Sequence, residues 1–170
     1  LFDAELVYDV SLQLDIKDSA AHDISIVVDA DQQWTVTAIE GNDIADADAD
    51  VRVVDGRRVA YIPFVKPHLG TTLVKMRLER AYGTAEEISV PVLRMSDARN
   101  DRGYLVAAAE KGVQFRIASA KGLREIHTGS APMAVDGAQM AFRFRDSAWS
   151  LSLGIEQAGS AVHSEVFHLV

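Results

Sequence analysis

Three aspartates, Asp46, Asp48 and Asp50, alternate with alanines, and carboxylate oxygens are ligands that Ca²⁺ prefers. An EF-hand loop beginning at Asp46 would need a glycine at its sixth position and a glutamate at its twelfth. This chain has Val51 and Arg57 there. The motif therefore fails, and we expect the aspartates to form an acidic, solvated loop or strand edge. An irregular calcium site is the alternative.

The histidines are scattered along the chain, at His22, His68, His127, His163 and His168. None has the His-x-x-x-His spacing or the adjacent glutamate that is typical of a helical zinc site. On a strand, His163 and Glu165 would share one face and His168 would lie on the other. At most two of these three side chains could then reach one ion. The histidines therefore predict no metal site.

Patterns typical of catalysis are also missing. Neither Ser130 nor Ser160 lies in a Gly-x-Ser-x-Gly elbow, and the glycines are spaced too widely to cradle a phosphate. Carboxylate pairs could in principle hydrolyse glycosides, and the nominal candidates are Glu86 with Glu87, Asp97 with Asp101, and Glu110. Because adjacency in sequence does not fix a distance across a cleft, we expect salt-bridged loop residues instead. The sequence predicts no catalytic residue and no cofactor.

Exposed aromatic rings would provide platforms on which sugars can stack. Trp34 leads a run in which Val36 and Ala38 share its face, and Trp149 shares a face with Leu151 and other aliphatic residues. Both tryptophans are therefore predicted to lie in the core. The remaining candidates for a sugar platform are Tyr8, Tyr61, Tyr82 and Tyr104.

A polar segment over residues 95–103 is the best candidate for an interaction loop or a domain boundary. Its charged residues include Asp97, Arg99, Asp101 and Arg102, and it has almost no apolar content. Connecting segments of this kind lie at the surface, and binding residues are concentrated in them. We predict that these four charged residues form an interaction loop.

Alternation with period two runs through most of the chain and indicates how these residues are positioned. From Leu6 to Ile16, apolar residues alternate with mainly polar ones, which indicates a long strand with one buried face. Similar runs recur to the C terminus, separated by turn signals, and no long amphipathic helix is evident. The pattern predicts an all-β fold, namely an antiparallel β-sandwich that is either single or made of two packed units.

Turn residues divide this pattern into elements and units. The clearest signal is Asp55-Gly56, which predicts a two-residue hairpin turn. Residues 19–23 are predicted to be a polar connector and residues 68–71 a loop, and residues 104–108 are either a strand or a short helical turn. The predicted units are residues 1–94, a β-sandwich, and 104–170, a second unit or a continuation of the same sandwich. Residues 95–103 would connect them.

Composition limits the classes of partner. Acidic residues exceed basic ones and give a formal net charge of −8, which disfavours nucleic acid because phosphate binding requires clustered lysine and arginine. No apolar run approaches the roughly 20 residues that span a bilayer, so no membrane insertion is predicted. The absence of cysteine is compatible with a bacterial periplasm or the cytosol. Because the chain begins with Leu1, we expect it to be a piece of a longer protein.

Several segments of the second half resemble parts of large bacterial envelope proteins. They are Ile88-Ser-Val-Pro-Val-Leu-Arg, Asp101-Arg-Gly-Tyr-Leu-Val, Ala141-Phe-Arg-Phe-Arg and Trp149-Ser-Leu-Ser-Leu. In that group, β-rich extracytoplasmic modules are attached to membrane-anchored chains. The resemblance, which covers about residues 51 to 157, implies a location in the bacterial periplasm or cell envelope, and it identifies no catalytic residue.

These observations predict a non-catalytic module of a larger envelope protein. It would present a surface to a protein or glycan partner or space other domains. The alternative is an accessory domain of a carbohydrate-active enzyme, or a small catalytic sandwich acting on sugars. A third interpretation is a barrel that holds a lipid or another ligand in an unfilled cavity.

Overall fold

The computed structural model describes residues 4–82, 87–95, 101–157 and 164–169. It is 72% strand and 4% helix, so the all-β prediction is confirmed. The strands are β1 (Ala4–Asp29), β2 (Thr35–Glu40), β3 (Asp50–Val54), β4 (Arg57–Tyr82), β5 (Glu87–Ser89), β6 (Val92–Met95), β7 (Gly103–Ala109), β8 (Val113–Lys121), β9 (Arg124–Ile126), β10 (Ala138–Phe144), β11 (Ser150–Gln157) and β12 (Ser164–Leu169). Two single-turn 3-10 helices span Asp46–Asp48 and Thr128–Ser130.

The strands form two sheets that pack together. The larger has the order β2-β4-β1-β12-β7-β10-β9, with β3 also paired to β4 and β6 to β1, and the smaller has the order β5-β11-β8. Among the described pairings, only β1 with β12 is parallel. The sandwich remains the predicted arrangement of these sheets. No helix in the described residues has the length and apolar character needed to cross a membrane.

An antiparallel ribbon of β1 and β4 forms the centre of the larger sheet. These strands are paired over almost their whole length, so the predictions of a connector at residues 19–23 and a loop at residues 68–71 were wrong. The ladder absorbs the polar and proline residues through register shifts, between Ile16 and Ala21 and again before Asp23. Pro63 pairs with Asp23 at the second shift, and prolines are tolerated at such irregular positions because a regular ladder hydrogen bond is already lost there.

The ribbon folds back on itself, as two arginines at opposite ends of β4 show. Arg58 donates to the backbone oxygens of Ala30, Asp31 and Trp34, and Arg80 donates to the carboxylate of Asp31. A straight strand would separate residues 58 and 80 by roughly 70 Å, at about 3.3 Å per residue. Both arginines nevertheless bind the turn after β1. The irregular middle of the ribbon is therefore a bend that brings its two ends together.

One apolar cluster of the described residues joins the two halves of the ribbon and extends into the smaller sheet. Tyr8 and Trp34 are buried in contact, with ring centroids 6.3 Å apart, and the indole nitrogen of Trp34 donates to the backbone oxygen of Ser89 at 3.2 Å. Leu153, from the smaller sheet, belongs to the same cluster. Trp149 is also buried, so the core prediction is confirmed for both tryptophans. Tyr8 is a core residue too and cannot be an exposed sugar platform.

Two local predictions are confirmed by the backbone. Asp55 and Gly56 form the turn between β3 and β4 with φ values of 51° and 76°, the positive pair that a two-residue hairpin requires. Residues 104–108 lie within β7 and form no helical turn.

The division of the chain near residues 95–103 stays a prediction. Strand pairing crosses that position twice, since β5 pairs with β11 and β12 pairs with β1.

Candidate interaction face

The predicted interaction loop is described only at its C-terminal end. Asp97 and Arg99 lie outside the described residues, whereas Asp101 is partly buried and Arg102 is exposed. Asp101 comes close enough to Asp146 for the two carboxylates to interact. The loop leads directly into β7, whose second residue is Tyr104. The end of the loop therefore adjoins the surface formed by β7, β10 and the segment after β10.

A row of three side chains crosses this surface from strand to strand. Arg143 of β10 pairs with Tyr104 of β7 on one side and with Arg124 of β9 on the other. Directly paired residues project to the same face of a sheet, with Cβ atoms about 4.5–5.5 Å apart. Tyr104 and Arg143 are partly exposed and Arg124 is exposed. An aromatic ring and two guanidinium groups therefore share one accessible face.

The arginines line a concavity of about 380 Å³. Arg145, two residues after Arg143, also lines it, and Asp146 supplies a carboxylate at its wall. Gly122 and Leu123 complete the lining. We call Tyr104, Arg124, Arg143 and Arg145 the arginine face. This face offers three cationic donors and one aromatic ring to a ligand.

Packing beneath the concavity holds its loops in place. Gly122 has φ +67, and a Cβ atom there would lie 3.0 Å from the backbone oxygen of Ala148, so the close approach of this turn requires glycine. The buried Trp149 packs on Phe144 with ring centroids 5.5 Å apart. The carboxylate of Asp146 accepts a hydrogen bond from the backbone N–H of Ala148 at 2.9 Å. These contacts fix the segment that carries Arg145.

Arg94 ties this segment to the central ribbon. Its Nε donates to the backbone oxygen of Ser147 at 3.0 Å, and its guanidinium also binds the carboxylate of Asp29 at 2.6 Å. Arg94 is therefore occupied by the fold, although it lies near the carboxylate of Asp101. These contacts hold the concavity in place, and none of them involves Arg124, Arg143 or Arg145.

The charges of the arginine face are not neutralised by any ion pair with the residues that the structure describes. Elsewhere, Arg77, Arg80 and Arg94 form ion pairs with aspartates at 2.6 Å. None of the three arginines of the face forms an ion pair with any described residue. Like charges directly opposite each other on neighbouring strands are destabilising. Placing Arg124 opposite Arg143 therefore costs stability, although the chain has an excess of carboxylates that could have paired with them.

Asp101 has an unusual environment beside this face. Burial raises the pKa of its carboxyl, the nearby Asp146 carboxylate raises that pKa further, and Arg94 opposes the shift. A carboxyl whose pKa is raised keeps its proton to a higher pH than an ordinary aspartate does. Asp101 and Asp146 are therefore two neighbouring acids, of which Asp146 lines the concavity.

The other site residues that the sequence suggested either make contacts within the fold or lie apart from one another. Asp50 pairs with Arg52, whose guanidinium also lies 4.5 Å from the ring centroid of Tyr61. The carboxylate of Asp46 accepts a hydrogen bond from the backbone N–H of Ala47 at 2.9 Å. No group of three potential metal ligands occurs within the described part of the chain. Glu86 and His163 lie outside that part.

A larger concavity of about 600 Å³ opens between β7, β8 and β10. The amide of Gln139 in its wall is already engaged, since it donates to the oxygen of Val113 and accepts from the N–H of Phe115. Its charged lining residues, Glu110, Lys111 and Glu156, carry opposite signs. This concavity therefore has no cluster of one charge and is a weaker candidate for binding.

Sequence reasoning did not identify the arginine face. The two-residue spacing of Arg143 and Arg145 was the available signal, because residues two apart in an extended segment share a face, although Arg145 lies just after the end of β10. Arg124 joins them only through the register of β9 with β10. Comparison of the chain with protein-family models, with curated proteins and with solved structures finds no match.

Proposed function

We propose that this chain is a non-catalytic binding module of a larger bacterial envelope protein, and that it binds its partner through the arginine face. The observation that carries the proposal is the row formed by Tyr104, Arg143 and Arg124, which is accessible and whose two arginines form no ion pair with any described residue. Side chains that lower the stability of a sheet, and whose cost no other contact offsets, are expected at functional sites. The bacterial envelope is proposed from the sequence resemblance alone.

Affinity electrophoresis provides the test. The native protein is run in gels containing either a neutral polysaccharide, such as dextran or laminarin, or an acidic one, such as alginate or polygalacturonate. We expect at least one polysaccharide to retard the protein, and Arg143→Gln to weaken that retardation. Arg57→Gln is the matched control, because Arg57 is exposed on the distant β3–β4 hairpin and its replacement removes the same charge. Mobility that no polysaccharide changes would contradict the proposal and favour a spacer.

The proximity of Asp101 and Asp146 favours a second candidate, a small catalytic domain acting on sugars. Two neighbouring carboxyl groups, one of which has a raised pKa, are the combination that glycoside hydrolysis uses. Release of reducing ends from the retarding polysaccharide separates the two functions. Turnover that Asp101→Asn and Asp146→Asn abolish would support catalysis, whereas retardation without turnover supports the binding module.

A further inference from the structure

Building on the proposed function, we propose that the ligand of the arginine face is an acidic saccharide. A carboxylate of the sugar would lie between Arg143 and Arg124, and a neighbouring sugar ring would stack on Tyr104. The site would recognise the combination of a ring and an anion. The contacts that hold the fold together do not require such a site, and neither does the overall charge of the protein.

The arginines account for the anion. Guanidinium groups bind carboxylates through two parallel hydrogen bonds, and Arg143 and Arg124 stand directly opposite each other across β10 and β9. An anion between them would remove their mutual repulsion and gain donors from both. Arg145 lies in the same lining and adds a third cation near that position. The face is therefore more favourable when a negative group occupies it.

Tyr104 accounts for the ring. It lies one strand from Arg143 and two strands from Arg124, at distances of about 4.8 Å and 10 Å along the row. An aromatic side chain offers a flat apolar surface and a polar hydroxyl at its tip. A linear saccharide lying across the strands could therefore place one ring over Tyr104 and a charged group at the arginines. A peptide whose side chains are acidic has no sugar ring to stack on Tyr104.

The wall of the concavity distinguishes a saccharide from a uniformly charged polymer. Asp146 lines the same space as the arginines, and Asp101 lies near it. These carboxylates would repel successive phosphates, and the net charge of −8 opposes a nucleic acid backbone. The hydroxyl groups of a sugar, in contrast, can donate hydrogen bonds to Asp146. A ligand with both hydroxyl groups and a carboxylate matches the whole lining.

Isothermal titration calorimetry at low salt tests this inference with three probes. They are an oligogalacturonate, its methyl ester, which keeps the rings and loses the charge, and an oligoglutamate, which keeps the charge and lacks sugar rings. We expect the oligogalacturonate to bind most tightly and its affinity to fall as salt is added. We expect a loss of roughly tenfold or more for Arg143→Gln, since that variant removes a charge-assisted pair.

Variants of the tyrosine separate stacking from charge. Tyr104→Phe should keep the affinity within about twofold, whereas Tyr104→Ala should lower it several-fold, with melting curves verifying that both variants are folded. Arg57→Gln should bind like the wild type. Equal binding of the methyl ester, lost in Tyr104→Ala and unchanged in Arg143→Gln, would overturn the acidic saccharide and leave a module that binds neutral saccharides through Tyr104. Oligoglutamate binding as tightly as oligogalacturonate would refute the saccharide in favour of an acidic peptide. Absence of binding by all three probes would refute this inference, while the polysaccharide gels test the proposed function separately.

Discussion

The ion pair that closes the folded-back ribbon should respond very differently to the removal of each partner. Arg80 is 7% exposed and projects from the core face, opposite the buried Leu6. Its only ion-pair partner among the described residues is Asp31, at 2.6 Å, whose side chain is 42% exposed. Asp31→Asn therefore leaves a buried cation without its counter-charge. Arg80→Met removes the buried cation and leaves a carboxylate that water can solvate.

These differences in burial set the expected magnitudes. Breaking a fully buried pair by removing one partner costs roughly 3–5 kcal/mol, and because water reaches Asp31 we expect about 2–3 kcal/mol for Asp31→Asn. Arg80→Met should cost less than about 1 kcal/mol, because an apolar side chain of similar length replaces a desolvated charge. The turn itself should survive in Asp31→Asn, since the asparagine oxygen can still accept from the N–H of Gln33.

Urea unfolding of the two single variants and the double variant measures these costs. The double variant should resemble Arg80→Met, because the charge that Asp31→Asn strands is then absent. Asp29→Asn is the matched control, since it breaks an equally short pair with Arg94 whose partners are 58% and 37% exposed. We expect less than about 1 kcal/mol for it. The reasoning is refuted if Asp31→Asn costs no more than Arg80→Met, or if the two single effects simply add.

Three further predictions concern the hairpin, the acid pair and the acidic run. Gly56→Val should lower the free energy of unfolding by on the order of 1 kcal/mol or more, because a β-branched residue resists the φ of +76°; an unchanged urea midpoint would contradict this. Because the pKa of Asp101 is raised in the folded state, its ionisation opposes folding, and this penalty is complete above the folded pKa. Asp101→Asn should therefore melt at a higher temperature than the wild type at neutral pH. This difference in melting temperature should disappear as the pH falls towards 3.8, the ordinary pKa of an aspartate. A difference that does not change with pH would show that ionisation of Asp101 is not its cause. Millimolar calcium should leave the melting temperature unchanged, since Asp46 accepts a hydrogen bond from the N–H of Ala47 and Asp50 forms an ion pair with Arg52. A rise of several degrees that Asp48→Asn removes would overturn that expectation.

Local patterns were sufficient for the strands but not for the path of the ribbon. The alternation from Leu6 to Ile16 and the turn at Asp55-Gly56 depend on neighbours in sequence, and both were predictable. The bend in β1 and β4 was mistaken for two chain breaks, because polar residues and prolines look alike in a loop and in an irregular ladder. Whether residues 19–23 leave the sheet depends on pairing with β4, since Ala21 pairs with His68 and Asp23 with Pro63, and these partners are far apart in the chain.

The arginine face was unpredictable for the same reason, and the reason bears on its function. Arg143 is ordinary in sequence, and it becomes unusual only when register places Arg124 on one side and Tyr104 on the other. A surface selected for stability alone would set a carboxylate opposite an arginine, as Asp9 stands opposite Arg77 in the central ribbon. The same chain thus shows both arrangements, a neutralised pair where two strands are held together and an unneutralised pair beside a preorganised concavity. An external anion would neutralise Arg124 and Arg143, as Asp9 neutralises Arg77 within the protein.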